Sequence, residues 1–66
     1  MNIELKFLQK AVENKNYISF TNEKKKYDKV KALKLEYLDN KYYLYTNTNK
    51  FEFEKLSKIK VLKERF

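Results

Sequence analysis

Residues 34 to 46 read KLEYLDNKYYLYT, two runs of alternating apolar and polar side chains on either side of an Asp-Asn pair. Asp and Asn both tolerate a positive φ, so Asp39 and Asn40 can form the two-residue turn of a β-hairpin. Such a turn would place Leu38 opposite Lys41 and would thereby fix the pairing of the two strands. The stretch therefore predicts an antiparallel hairpin.

The two faces of this hairpin differ in composition. Directly opposed residues point to the same side of a sheet, and the inner pairs would be Tyr37 with Tyr42, Leu35 with Leu44, and Leu33 with Thr46. The outer face would carry Lys34, Glu36, Leu38, Lys41, Tyr43 and Tyr45. We expect the tyrosines of the inner face to pack into the core and those of the outer face to form a surface.

The segment before the hairpin predicts one helix and one strand. Apolar residues recur at spacings of three and four between residues 3 and 14, at Ile3, Phe7, Leu8, Ala11 and Val12, the pattern of a helix with a single apolar stripe. Asn2 can cap its start, and Asn14 or Asn16 can end it in a left-handed conformation. Residues 17 to 21 alternate with a period of two, as a half-buried strand does, and NEKKK at residues 22 to 26 is expected to be a polar loop.

The remaining strands complete a small β domain. Between residues 27 and 38 the apolar phase shifts by one residue after Ala32, which indicates a bulge or a bend. Further strands are expected at residues 50 to 55 and 59 to 63, with a short turn between 56 and 59. A helix at about 3–14 and strands at about 17–21, 27–38, 41–46, 50–55 and 59–63 predict one mainly β (α+β) domain over residues 1–66. The predicted fold is a small SH3-like or Sm-like five-stranded barrel with an N-terminal α-helix.

The order of these features resembles the WYL domain, a bacterial module with an Sm-like barrel fold. The matching segments are LQKAV (8–12), YISF (17–20), VKALKL (30–35), KYYLYT (41–46) and KLSKI (55–59). Tyr42, Tyr43 and Leu44 stand at the triplet that names the family, with tyrosine in place of tryptophan. The proline that the family usually has in its second strand falls at Ala32, where the phase shift was found.

The resemblance also implies a ligand site and a task. The family's Phe-Arg-Leu-Asp-Arg-Ile stretch aligns with EKLSKI at residues 54 to 59, so that Lys55 and Lys58 replace two arginines that line a basic site. WYL domains accompany transcription regulators, helicases and CRISPR effectors, and the implied task is binding nucleic acid, often single-stranded, or a nucleotide-like effector. Whether this chain stands alone or belongs to a larger protein is left open.

Composition narrows the classes of function. Sixteen Lys and Arg against nine Asp and Glu give a net charge of +7, as expected of a protein that meets phosphate or an acidic partner. Without His or Cys, the usual zinc sites and catalytic pairs are excluded, and no enzyme activity, metal or cofactor is expected. No apolar run approaches the roughly 20 residues that span a bilayer, and no secretory signal is present, which favours a cytoplasmic protein that does not bind membranes.

These observations predict a non-catalytic module that binds single-stranded DNA or RNA and assists or regulates a larger nucleic-acid-processing system. Tyr43 and Tyr45 would stack with bases, and the phosphates would be neutralised by Lys34, Lys41, Lys55 and Lys58. Glu52 and Glu54 would repel phosphate, so their side of the strand is expected to lie away from the binding surface. The alternative is an effector-sensing or protein-interaction module for a nucleotide-like ligand or an acidic partner protein. A homodimer formed through an exposed strand edge is also left open.

Overall fold

The computed structural model describes residues 3–66, so the cap expected at Asn2 lies outside the described residues. The elements in chain order are α1 (Ile3–Asn14), β1 (Asn16–Asn22), β2 (Lys25–Leu38), β3 (Lys41–Thr46), β4 (Lys50–Glu52), a 3₁₀ turn (Phe53–Lys55) and β5 (Leu56–Arg65). The protein is therefore mainly β, an N-terminal helix followed by a five-stranded antiparallel sheet.

The sheet is open. Its strand order is β4-β3-β2-β1-β5, so that β4 and β5 are its two edges and do not pair with each other. The prediction of a closed barrel is wrong in this respect. The structural reason is the shortness of β4, because the chain leaves the sheet after three residues, enters the 3₁₀ turn, and begins β5 three residues earlier than the sequence indicated.

The long strand β2 joins the two halves of the sheet. Its first half pairs with β1 and its second half pairs with β3. The β2–β3 register shifts between Ala32 and Lys34, so Ala32 rather than Leu33 lies opposite Thr46. Leu33 is the extra residue of a bulge and is 48% exposed. The predicted phase shift is confirmed, whereas the predicted pairing of Leu33 with Thr46 is wrong.

Two tight hairpins connect the first three strands. Asp39 and Asn40 have φ of 51° and 65°, and Leu38 lies opposite Lys41, which confirms the predicted turn and its register. The second hairpin turns at Glu23 and Lys24, with φ of 46° and 73°. The predicted NEKKK loop is therefore wrong, since most of that segment belongs to the ends of β1 and β2.

The core lies between α1 and the inner face of the sheet. Its buried members are Leu8, Ala11, Ile18, Phe20, Val30, Ala32, Leu44 and Phe51. On the helix, Leu5 is also buried, whereas Ile3 and Phe7 are 64% and 54% exposed. The packed stripe is thus rotated relative to the predicted one, because Leu5 joins the predicted Leu8 and Ala11 against the sheet, whereas Ile3 and Phe7 face solvent.

A lysine in the left-handed conformation follows the helix. Lys15 holds φ at 56° and its N–H bonds to the carbonyl of Val12 at 3.3 Å, so the prediction that Asn14 or Asn16 takes the left-handed conformation is wrong. Asn16 instead donates its side-chain amide to the carbonyl of Leu62 at 3.2 Å. This bond ties the start of β1 to β5.

Candidate nucleic-acid interface

The outer face of β2, β3 and β4 carries two rows of opposed side chains. In one row Tyr45 lies between Lys34 of β2 and Lys50 of β4, and in the other Tyr43 lies between Glu36 and Glu52. Residues two apart on a strand share a face, so both rows point to the same side of the sheet. We call this surface the tyrosine face, formed by Lys34, Glu36, Lys41, Tyr43, Tyr45, Lys50 and Glu52.

The two rings of the tyrosine face are half-buried and lie against lysine ammonium groups. The Nζ of Lys50 is 4.5 Å from the ring centroid of Tyr43 and 5.4 Å from that of Tyr45, and the Nζ of Lys34 is 5.5 Å from Tyr45. An exposed cation–π contact is worth about 0.5–1 kcal/mol, less than the roughly 1–3 kcal/mol of a base stacked on an aromatic side chain. A base can therefore displace the ammonium group from the ring.

Hydrogen bonds fix the position of Tyr45. Its hydroxyl donates to Oε1 of Glu36 at 2.8 Å, while Lys34 reaches Oε2 of the same carboxylate at 3.3 Å. The hydrogen bond from Tyr45, followed by that from Lys34, holds the pKa of Glu36 below its usual value. The carboxylate is therefore ionised at neutral pH and orients the ring beside it.

Glu52 neutralises two of the predicted phosphate ligands. Lys55 and Lys41 reach its two carboxylate oxygens at 3.0 and 3.3 Å, and these bonds lower the pKa of Glu52, with Lys55 as the larger cause. The same contacts raise the pKa values of Lys41 and Lys55. The expectation that Glu52 lies away from the predicted binding surface is wrong, because Glu52 lies directly opposite Tyr43 in the pairing of β3 with β4.

These ion pairs are exposed and exchangeable. Each joins partly solvated side chains, and pairs of this kind are worth about 0–1 kcal/mol. A phosphate that approaches Lys34 or Lys41 can therefore replace the carboxylate, although it must also overcome repulsion from Glu36 and Glu52. The face is mixed in charge, not uniformly basic.

The structure brings together most of the predicted site residues. Tyr43, Tyr45, Lys34 and Lys41 lie on the tyrosine face, and Lys55 is joined to it through Glu52. Lys58 lies on β5, at the opposite edge of the sheet in pairing order, and lines a separate surface. Lys50 was missed, although its alternation with Phe51 places it in phase with Glu52 on the outer side of β4.

The inner tyrosine pair lies outside the core. The ring centroids of Tyr37 and Tyr42 are 4.7 Å apart, but Tyr37 is 57% exposed and bonds through its hydroxyl to Oδ1 of Asn40 at 3.1 Å. Both rings line a groove between α1 and the tip of the hairpin. The prediction that Tyr37 packs inward is wrong, because the helix does not cover the hairpin tip.

Within residues 3–66 no group of three or more acidic side chains is placed to hold a metal ion. No helix in that part of the chain is long and apolar enough to cross a membrane. Comparison of the chain with protein-family models, curated proteins and solved structures gives no match.

Proposed function

We propose that this chain is a non-catalytic, WYL-like module that binds single-stranded DNA or RNA across the tyrosine face. The observation that carries the proposal is the pair of half-buried rings, Tyr43 and Tyr45, with the ammonium group of Lys50 against both rings and that of Lys34 against Tyr45. The module would act in the cytoplasm and would assist or regulate a larger nucleic-acid-processing system. Its ligand is recognised through phosphate and base stacking, not through base edges.

The spacing of the two rings favours single strands. Residues two apart on a strand are separated by about 6.6–6.8 Å, whereas stacked bases are about 3.4 Å apart along a strand. Neighbouring bases can engage Tyr43 and Tyr45 only if they are unstacked from each other, which a duplex does not allow. Lysines in the row of Tyr45, Lys34 and Lys50, then neutralise the adjoining phosphates.

The proposal also includes the type of fold, an Sm-like arrangement of the strands. Strand β2 runs along β1 in its first half and along β3 in its second, with a register shift in each ladder, and bent strands of this kind turn the corners of small barrels. The shift beside Ala32 stands where the WYL family usually has a proline. We therefore propose an Sm-like arrangement that is left open between β4 and β5.

The test is a salt-varied fluorescence anisotropy titration against labelled oligo-dT and random RNA. With three to five phosphate contacts, the logarithm of affinity should fall with the logarithm of salt concentration at a slope of about −2 to −3.5. Tyr43→Ala should weaken binding about tenfold or more, whereas Tyr43→Phe, which keeps the ring, should bind nearly as the wild type. Unfolding curves establish that both variants are folded. A flat salt response, or equal binding by the Ala and Phe variants, would contradict the proposal.

The carboxylates of the tyrosine face favour a second candidate. Glu36 and Glu52 offset the charge of Lys34, Lys41 and Lys55, which weakens attraction to a long polyanion. The second candidate is an effector-sensing or protein-interaction module that uses the same rings for a nucleotide-like ligand or an acidic partner. Oligonucleotide binding at micromolar or tighter affinity in physiological salt would count against it.

A further inference from the structure

A second basic surface lies on the outer face of β5, β1 and β2. Ser19 of β1 lies opposite Lys60 of β5, and Thr21 lies opposite Lys26 of β2 and Ser57 of β5. Opposed residues share a face, and Ser19 and Thr21 share one because they are two apart. The pairing therefore gathers these side chains on one side of the sheet.

This surface is concave. Short hydroxyl side chains stand on the central strand and longer ones stand on the strands beside it, around a depression of about 560 Å³. We call it the lysine trough. Its polar lining residues are Ser19, Thr21, Lys26, Asp28, Lys58 and Lys60. Its volume falls within the roughly 300–1,000 Å³ range of small-ligand pockets.

The cations of the trough are not neutralised by ion pairs. Lys26, Lys58 and Lys60 form no ion pair with any carboxylate of residues 3–66, whereas on the tyrosine face Lys34 and Lys41 are paired and Lys50 is not. Lys58 is held at the rim by a bulge, where it takes φ of 51° and the β1–β5 register shifts. Three unpaired ammonium groups thus surround a floor of hydroxyl groups.

The trough also contains a carboxylate. Asp28 lines it and likewise forms no ion pair within residues 3–66. Ammonium and hydroxyl groups donate to phosphate oxygens, while an ionised carboxylate can only accept hydrogen bonds and suits the hydroxyls of a sugar. Asp28 is two residues from Lys26 on β2, so a phosphate and a hydroxyl donor would have to bind side by side. The lining therefore matches a ligand in which hydroxyl donors lie close to a phosphate.

We propose that the lysine trough binds a phosphorylated sugar, with Lys26, Lys58 and Lys60 on the phosphate and Asp28 on a sugar hydroxyl. The inference does not rest on the proposed function, because the trough and the tyrosine face share no residue. The same chemistry has two sources, a free sugar phosphate or the 5′-phosphorylated end of a nucleic acid strand. A ligand from either source would contact the same four side chains of the trough.

The first test is a titration of the full chain with ribose 5-phosphate, followed in ¹H–¹⁵N NMR spectra. We expect saturable shifts centred on the amides of residues 19, 21 and 60, and none with ribose. The double variant Lys26→Gln/Lys60→Gln should weaken binding about tenfold or more, because charge-assisted bonds to phosphate are lost. The matched variant Lys6→Gln/Lys63→Gln makes the same change in net charge outside the trough and should bind as the wild type. Shifts that do not saturate, or equal weakening in both double variants, would overturn the site.

A second variant tests the sugar end. Asp28→Ala removes a negative charge and a hydrogen-bond acceptor, so it should strengthen binding of inorganic phosphate while lowering the preference for ribose 5-phosphate over inorganic phosphate. An unchanged preference would overturn the role of Asp28 and leave a simple anion site, contrary to the proposal.

The two sources are separated in a Tyr43→Ala background, which weakens binding through the tyrosine face. There, a 5′-phosphorylated oligonucleotide should shift the trough amides and the unphosphorylated strand should not. If ribose 5-phosphate binds as tightly as the phosphorylated strand, the free sugar phosphate is sufficient as the ligand. If the unphosphorylated strand shifts the same amides equally, the trough reads backbone phosphates and the proposal fails, whatever the outcome for Tyr43.

Discussion

Several residues other than glycine hold a left-handed backbone conformation in this glycine-free chain. Among the described residues they are Lys15, Glu23, Lys24, Lys29, Asp39, Asn40 and Lys58. The conformation brings Cβ close to the following carbonyl oxygen and costs a residue with a long side chain about 1–2 kcal/mol, whereas Asp and Asn tolerate it better. The lysines and the glutamate in this set therefore store backbone strain that the rest of the fold must offset.

Lys15 is the position at which relief of that strain is simplest to measure. Its main-chain N–H and C=O bond to Val12 and Phe66, and both bonds would persist in Lys15→Gly. We expect this variant to raise the free energy of unfolding by about 0.5–1 kcal/mol, measured by urea titration. The control is Lys31→Gly, at a strand position without positive φ, which should lower stability by about 0.5–1 kcal/mol. Loss of stability in both variants would show that Lys15 is not strained.

Glu52 offers a residue-level test of the tyrosine face. Lys55 and Lys41 keep its pKa low, so it carries a negative charge at neutral pH in the middle of the proposed interface. Glu52→Gln should free Lys41 for phosphate, whereas Lys55 keeps its ion pair with Glu23 at 3.5 Å. The variant should raise oligo-dT affinity about threefold or more and steepen the salt slope by about 0.7. Glu13→Gln makes the same change in net charge on α1 and should leave affinity nearly unchanged. Equal gains in the two variants would mean that only the total charge matters.

At the scale of elements, the sequence predicts a turn where its residue types favour the backbone conformation that the turn requires. The turn at Asp39 and Asn40 could be predicted because both residues tolerate positive φ, and the β2–β3 register followed from it. The turn at Glu23 and Lys24 could not, because neither residue favours the conformation that it adopts. The shift beside Leu33 was visible as a change of apolar phase. The alternation also breaks between Leu56 and Ile59, but this break was interpreted as a turn, whereas it is the bulge at Lys58 within one continuous strand. The bulge at Lys29 was not predicted.

The third prediction concerns β4, the shortest strand. Phe51 is 5% exposed, and its ring centroid lies 5.0 Å from that of Phe20 and 4.9 Å from that of Tyr27. Truncation of a buried Phe to Ala costs about 3–5 kcal/mol, comparable to the whole stability of a domain this small, about 3–10 kcal/mol. Phe51→Ala should therefore be largely unfolded, and Phe51→Leu should remain folded with a lower midpoint of urea unfolding.

Phe7 supplies the matched control on α1, since its side chain is 54% exposed. Phe7→Ala should change the free energy of unfolding by about 0.5 kcal/mol or less. If it destabilises the protein as much as Phe51→Leu, then the exposed ring contributes to the core in solution and the packed stripe of the helix is wrongly placed.

At the scale of the whole molecule, what could not be predicted depends on contacts between distant segments. Closure of the sheet is one case, because it requires β4 to reach β5. The charge of the tyrosine face is another, because the register of β3 with β4 is set by the turn after Thr46, whose Oγ1 accepts the N–H groups of Thr48 and Asn49 at 3.1 Å. That turn brings Glu52 opposite Tyr43. The two rings and Glu36 could be assigned to one face from the hairpin alone, but Glu52 could not.

The open sheet also determines how copies of the chain can meet. β5 is a ten-residue edge strand, and Lys58, Lys60 and Lys63 along it would repel a second copy of the same strand, as lysines on natural sheet edges do. We expect a monomer at about 0.05 M salt and weak association at about 1 M, where the Debye length falls to about 3 Å. Sedimentation velocity measures both states. Salt should thus promote self-association while it weakens oligonucleotide binding, which separates the two surfaces in one set of conditions.

A charge-reversal variant makes this last prediction specific to β5. Lys58→Glu/Lys60→Glu should stay monomeric alone at low salt, because its own copies also repel each other. Mixed with the wild type at low salt, it should form a heterodimer, since lysines then face glutamates across the paired edges. A wild-type dimer at low salt, or a mixture that stays monomeric in all conditions, would contradict the assignment of β5 as an edge that only its lysines keep unpaired.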